Sequence, residues 1–156
     1  MKILLPIDGS PQALEAVRYA VRLVRDGLNA EFVLVNAQAA PNLYEMAMAH
    51  DAEVIDQVRS AAGADLLRPA EALLEAAGLS FESEVVDGDP ARVLVETIER
   101  DRCDAVIMGT HGAGGRFGAL FGSVSGALLQ RSPVPVTVVR ADQAARQDDD
   151  TTSSAR

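Results

Sequence analysis

Apolar and polar positions along this chain alternate between short solid runs and stripes at helical spacing. Lys2–Ile7 is a nearly continuous apolar run, as expected of a strand buried on both faces. Leu14, Val17, Val21 and Val24 then recur at helical spacing, which predicts a helix with one buried stripe. Glu31–Ala37 reads as a second strand and Ser80–Val86 as a third. Between them, residues 42–77 are mostly helical. Two pieces are expected there, because Pro69 removes a backbone donor and Gly63 lowers helix propensity. The second piece carries Leu66, Ala70, Leu73 and Leu74. Val93, Leu94, Thr97 and Ile98 face inward from the next helix, Asp104–Met108 is a fourth strand, Val124–Arg131 a short helix and Val134–Val139 the last strand.

Turn chemistry separates these elements where the pattern requires it. Ser10 is placed to cap a helix and Pro11 suits its first position; Asp89 and Pro90 repeat the arrangement. Gly27 and Gly78 are helix stops. Strands alternating with helices imply a parallel α/β sheet with right-handed crossovers. Ligands of such sheets bind beyond the carboxyl ends of the strands, where strand order reverses. Two segments carry ligand-like chemistry at strand ends: Asp8-Gly9-Ser10 after the first strand and a glycine-rich stretch after the fourth. They reach one crevice if those two strands are neighbours.

Composition narrows the class. The 156 residues suffice for one domain with a real core, and at 4% aromatics that core must be built of Val, Leu, Ile and Ala. The domain is expected over 1–140, with 141–156 a polar, acidic tail expected to be disordered. The formal charge is −9, of which the tail supplies −2, so long-range attraction to nucleic acid or an anionic membrane is not expected. The opening residues are too short a run for a signal peptide, and no apolar run is long enough to span a bilayer. The single cysteine, Cys103, allows no intrachain disulfide. It reads as a packing residue, and a cytoplasmic location is expected.

Seven of the twelve glycines fall in the eighteen positions from Gly109 to Gly126. Glycine lets main-chain N–H groups approach a ligand closely, and Gly122-Ser123 opens a helix whose first N–H groups attract anions. A phosphate is the natural partner. A Walker-type loop needs a lysine before its Ser/Thr; Phe121 precedes Gly122, and the chain's one lysine is Lys2. A dinucleotide fingerprint does not follow the first strand. Arg116 inside the segment is placed to pair with a phosphate, or is a solvated loop charge; His111 either faces the phosphates or, more simply, is a loop residue.

The stretch from Asp104 to Arg140, the opening KILLPIDGS and the GDP turn at Gly88 resemble the universal stress protein family, as does the spacing Gly109-x2-Gly112-x9-Gly122-Ser123. The resemblance spans residues 2–140 and implies a single Rossmann-like domain: a five-stranded parallel sheet in the order 3-2-1-4-5 with helices on both faces. It further implies the ATP-binding branch of the family. Asp8, with Pro6 and Ile7 before it, matches the position that contacts the nucleoside. Ala37 matches the main-chain position at the adenine. Met108 and Gly109 lie by the ribose, and Gly112, Gly122, Ser123 and Val124 match the phosphate-binding positions. Family members pair through the last strand, so a homodimer is expected.

Hydrolysis needs a positioned water and stabilisation of transition-state charge. No acidic base lies within the glycine-rich segment. Ser123 is placed to help hold Mg²⁺, but further carboxylate ligands are not evident. The expectation is an ATP-binding regulatory protein; a slow ATPase and a nucleotide-independent dimeric interaction module are the alternatives.

Overall fold

The computed structural model describes residues 1–39, 52–110 and 121–140. Five strands, β1 (Lys2–Pro6), β2 (Glu31–Gln38), β3 (Phe81–Asp87), β4 (Ala105–Gly109) and β5 (Val136–Val139), form one parallel sheet in the order β3-β2-β1-β4-β5. The helices described are α1 (Pro11–Arg25), α2 (Ala52–Ala76), α3 (Pro90–Asp101) and α4 (Ser123–Arg131).

Alternation along each strand sends side chains into two cores. Ile3, Leu5, Phe32, Leu34 and Ile107 pack with Ala16, Val17 and Ala20 of α1 and Leu67, Ala70 and Leu74 of α2 on one face. Leu4, Val33, Val35, Val106 and Met108 pack with Val93, Leu94 and Ile98 of α3 and Leu128 of α4 on the other. The sheet therefore has helices on both faces. Cys103 is buried in the second core, and desolvation raises its thiol pKa to about 11, which fits a packing residue and not a redox group.

Both expected caps are present. Ser10 Oγ accepts from Ala13 N–H (3.1 Å) and an Asp89 carboxylate oxygen from Arg92 N–H (2.9 Å), each followed by a proline. Each cap contributes about 1 kcal/mol. By aiming its helix back across the sheet, each also turns the chain away from the strand's carboxyl end.

The break expected at Pro69 does not occur: α2 is one helix of 25 residues containing that proline. The carbonyl that loses its donor belongs to Asp65, and Asp65 and Pro69 are both exposed residues, a side of the helix on which a freed carbonyl is open to hydration rather than buried. Gly63 is likewise no weak point. It is buried, and a Cβ there would lie 2.5 Å from Val85 Cγ1, so the glycine lets α2 lie directly on β3. Leu66, expected in the core, is 39% exposed; Leu67, one position on, is buried in its place.

Candidate functional site

Strand order reverses at β1, which lies between β2 and β4. The register pairs Pro6 with Val35 on one side and Leu4 with Val106 on the other. Carried on along the strands, those offsets bring Asp8 level with Ala37 and with Thr110. The ends of three strands thus converge on one edge, the place where a doubly wound sheet offers a ligand crevice.

Asp8 is exposed, and its Oδ1 accepts from Ser10 N–H at 2.9 Å. Gly9 adopts φ +81°, a left-handed conformation that turns the chain at once into α1. The Asp8 carboxylate is therefore held at the turn between β1 and α1. Ile7 is buried, and Pro6 is half-buried. Ala37 is half-buried near the end of β2. Met108 is buried in the core, so what it offers at the edge is main chain.

Gly109 ends β4, and the C=O of Thr110, the next residue, ties this strand to α4. It accepts from Gly122 N–H and from Ser125 Oγ, both at 2.8 Å. Thr110 N–H in turn donates to Val139 C=O at 3.1 Å. These bonds hold the first turn of α4 beside the end of β4. Gly122 is the N-cap residue of α4 with no side-chain cap, so the N–H groups of Ser123 and Val124 stand at a helix start that suits an anion. Its φ of −69° and ψ of 168° are open to any residue, so its glycine is not required by backbone conformation. Gly112 and Arg116, with His111, lie outside the described residues.

Sequence reasoning missed several residues of this edge. The buried polar residues among those described are Ser10, Asn36, Thr97, Thr110 and Ser125, and all but Thr97 cluster here. Asn36 Nδ2 donates to Ile7 C=O at 2.7 Å, and Gln38 Nε2 donates to Asn36 Oδ1 at 3.0 Å. A signal was present: Asn36 interrupts the apolar run of β2 on the same face as Phe32 and Leu34, which lie in the core. Arg59 of α2 adds a cation at the neighbouring strand ends, donating to Ala39 C=O and, at 3.1 Å, to Asp87. Among the described residues no group of three or more His, Cys, Asp or Glu is arranged to hold a metal. No helix among them is long and apolar enough to cross a membrane.

Residues 1–140 match the model of the universal stress protein family. A universal stress protein of Methanocaldococcus jannaschii, MJ0531, is 28% identical over 139 residues, covering 89% of this chain and 81% of its own length. The solved structure of the hypothetical protein MJ0577 superposes with a TM-score of 0.74 at 23% identity, covering 91% of this chain and 96% of that one. A universal stress protein solved in complex with cAMP superposes with a TM-score of 0.64 at 25% identity, covering 90% and 96%. The chain belongs to the universal stress protein family.

Proposed function

We propose that this member of the family is an ATP-binding regulator whose nucleotide state alters shape or association, with little or no rapid hydrolysis. The observation that carries this is the convergence of Asp8, the Ala37 main chain, Gly109 and the start of α4 on one carboxyl edge of the sheet. Asp8, with Pro6 and Ile7, serves the nucleoside, and Ala37 the base. Met108 and Gly109 lie by the ribose, while Gly112, Arg116, Gly122, Ser123 and Val124 take the phosphates. The cAMP held by the related structure supports the nucleotide class.

The charge balance fits such a grip. A chain of net charge −9 repels an anion at long range, so binding relies on short-range main-chain donors and a helix start. Mg²⁺ would arrive with the triphosphate, with the Ser123 hydroxyl placed to complete its ligands. The described parts of the glycine-rich segment, Gly109–Thr110 and Phe121–Gly126, contain no carboxylate to serve as a base. That favours retention of ATP over turnover.

Mass spectrometry of nucleotide released from freshly purified protein tests the proposal directly. ATP in the released fraction, with calorimetric rebinding, supports it; no co-purifying nucleotide and no binding sinks it. Phosphate release with Mg²⁺ at a steady multiple-turnover rate would favour the slow ATPase instead.

A homodimer through β5 belongs to the same proposal. β5 is an edge strand of the sequence VTVV, and such an edge invites pairing. Sedimentation at micromolar concentration should give twice the monomer mass; a monomer overturns this part.

A further inference from the structure

The ladder between β1 and β2 changes character at this edge. Ile7 N–H donates to Val35 C=O at 2.8 Å, one rung beyond the paired Pro6 and Val35. In a regular parallel ladder the next rung would be Ala37 N–H to Ile7 C=O. That carbonyl is met instead by the side chain of Asn36, at 2.7 Å. Since a carbonyl can only accept, the Asn36 NH₂ must face it, and the Gln38 donor at 3.0 Å on Oδ1 agrees with that orientation. Gln38 is confined in turn, because α2 passes so close that a Cβ on Gly63 would lie 2.7 Å from Gln38 Nε2.

The peptide of Ala37 is aimed by the alternation of β2. Val35 C=O serves β1, whereas Gln38 C=O accepts from Gly88 N–H on the β3 side at 2.7 Å. Ala37 shares the parity of Val35, so its N–H points toward β1, into the opening beside Ile7. Asn36 is 3% exposed, and its burial in an otherwise apolar strand is costly unless its polar atoms are satisfied.

We infer that Asn36 is a positioning residue: its side-chain amide holds the Ile7 carbonyl where the β1–β2 ladder stops, one rung short of Ala37, and so leaves the Ala37 N–H for a ring-nitrogen acceptor of a purine base. The inference rests on the nucleotide-binding function proposed above. It adds the reason that a main-chain donor is offered to the base at this strand end.

Asn36→Leu keeps the branched, four-heavy-atom side chain and removes the donor. On the ligand-free protein, amide exchange of Ala37 should slow at least about tenfold in the variant, because Ala37 N–H then closes the rung with Ile7 C=O. Affinity for adenosine and for ATP should fall about tenfold, while affinity for inorganic tripolyphosphate stays within about twofold. Unchanged Ala37 exchange overturns the ladder argument. Equal losses for adenosine and tripolyphosphate overturn the positioning role and leave only a structural one. Wild-type protein that binds no adenine nucleotide overturns the proposed function and this role together, whereas wild-type binding matched by the variant overturns this role alone. If Asn36→Leu does not fold, Asn36→Ala is measured with the same outcomes.

Discussion

Gly109, the last residue of β4, meets Gln12 in the first turn of α1 so closely that a Cβ on Gly109 would lie 2.8 Å from both the carbonyl carbon and the Cβ of Gln12. The glycine is therefore demanded by helix–strand packing, whatever is bound beyond it. Gly109→Ala should destabilise the protein by about 1–3 kcal/mol through overpacking. Urea unfolding checks this as a lower midpoint at unchanged slope. An unshifted midpoint would show that α1 is free to move away.

Gly122 is the contrasting case. Its backbone conformation is open to every residue. Gly122→Val should thus fold, with a stability change limited to about 1 kcal/mol from the poorer N-cap. Calorimetry should nevertheless show ATP binding abolished, because the added Cβ blocks phosphate approach. Undiminished ATP affinity in a folded variant would refute the assignment of the phosphates to this helix start.

Gly63→Ala sets helix propensity against packing. Alanine gains about 1 kcal/mol in a helix interior. Its Cβ, however, would lie 2.5 Å from Val85 Cγ1 and 2.7 Å from Gln38 Nε2. Overpacking of this kind costs about 1–3 kcal/mol, so the net change should be destabilising. Adding Val85→Ala should recover part of the loss; a double variant no better than Gly63→Ala alone would place the strain elsewhere.

Asp101 gives the protein a small acid-sensitive element. Hydrogen bonds from the Arg100 guanidinium, at 2.8 Å to each carboxylate oxygen, hold the Asp101 pKa below its ordinary value. The unfolded chain therefore takes up this proton at higher pH than the folded one. The contribution to stability is complete above the unfolded pKa and is lost as pH falls through the folded value. Arg100 is half exposed, which limits the pair to at most about 1 kcal/mol. Chemical denaturation between neutral and acidic pH should show a shallower loss in Asp101→Asn than in the wild type. Parallel profiles would remove Asp101 from the acid response.

The strands, the capped helix starts and the acidic, lysine-poor charge balance were determined by the sequence alone. Each rests on interactions within a few residues: a solid apolar run in β1, Ser10 three residues before Ala13, Asp89 three before Arg92. The glycine cluster and the Asp8 turn were equally legible as chemistry at strand ends. Which glycines were required, and why, depended on contacts between distant segments. Gly109 answers to Gln12 on α1 and Gly63 to Val85 on β3, while Gly122 needs no special conformation at all. Pro69 looked like a break because propensity is local, yet it lies on the exposed side of α2, where the loss of one main-chain donor buries no unpaired carbonyl. The same division holds at the site. Asn36 and Ile7 are 29 residues apart, and only the parallel pairing of β1 with β2 places a side-chain amide on the carbonyl where the ladder stops. Local hydrogen bonding and hydrophobic period are written along the chain, whereas register and close approach are settled only when the elements pack.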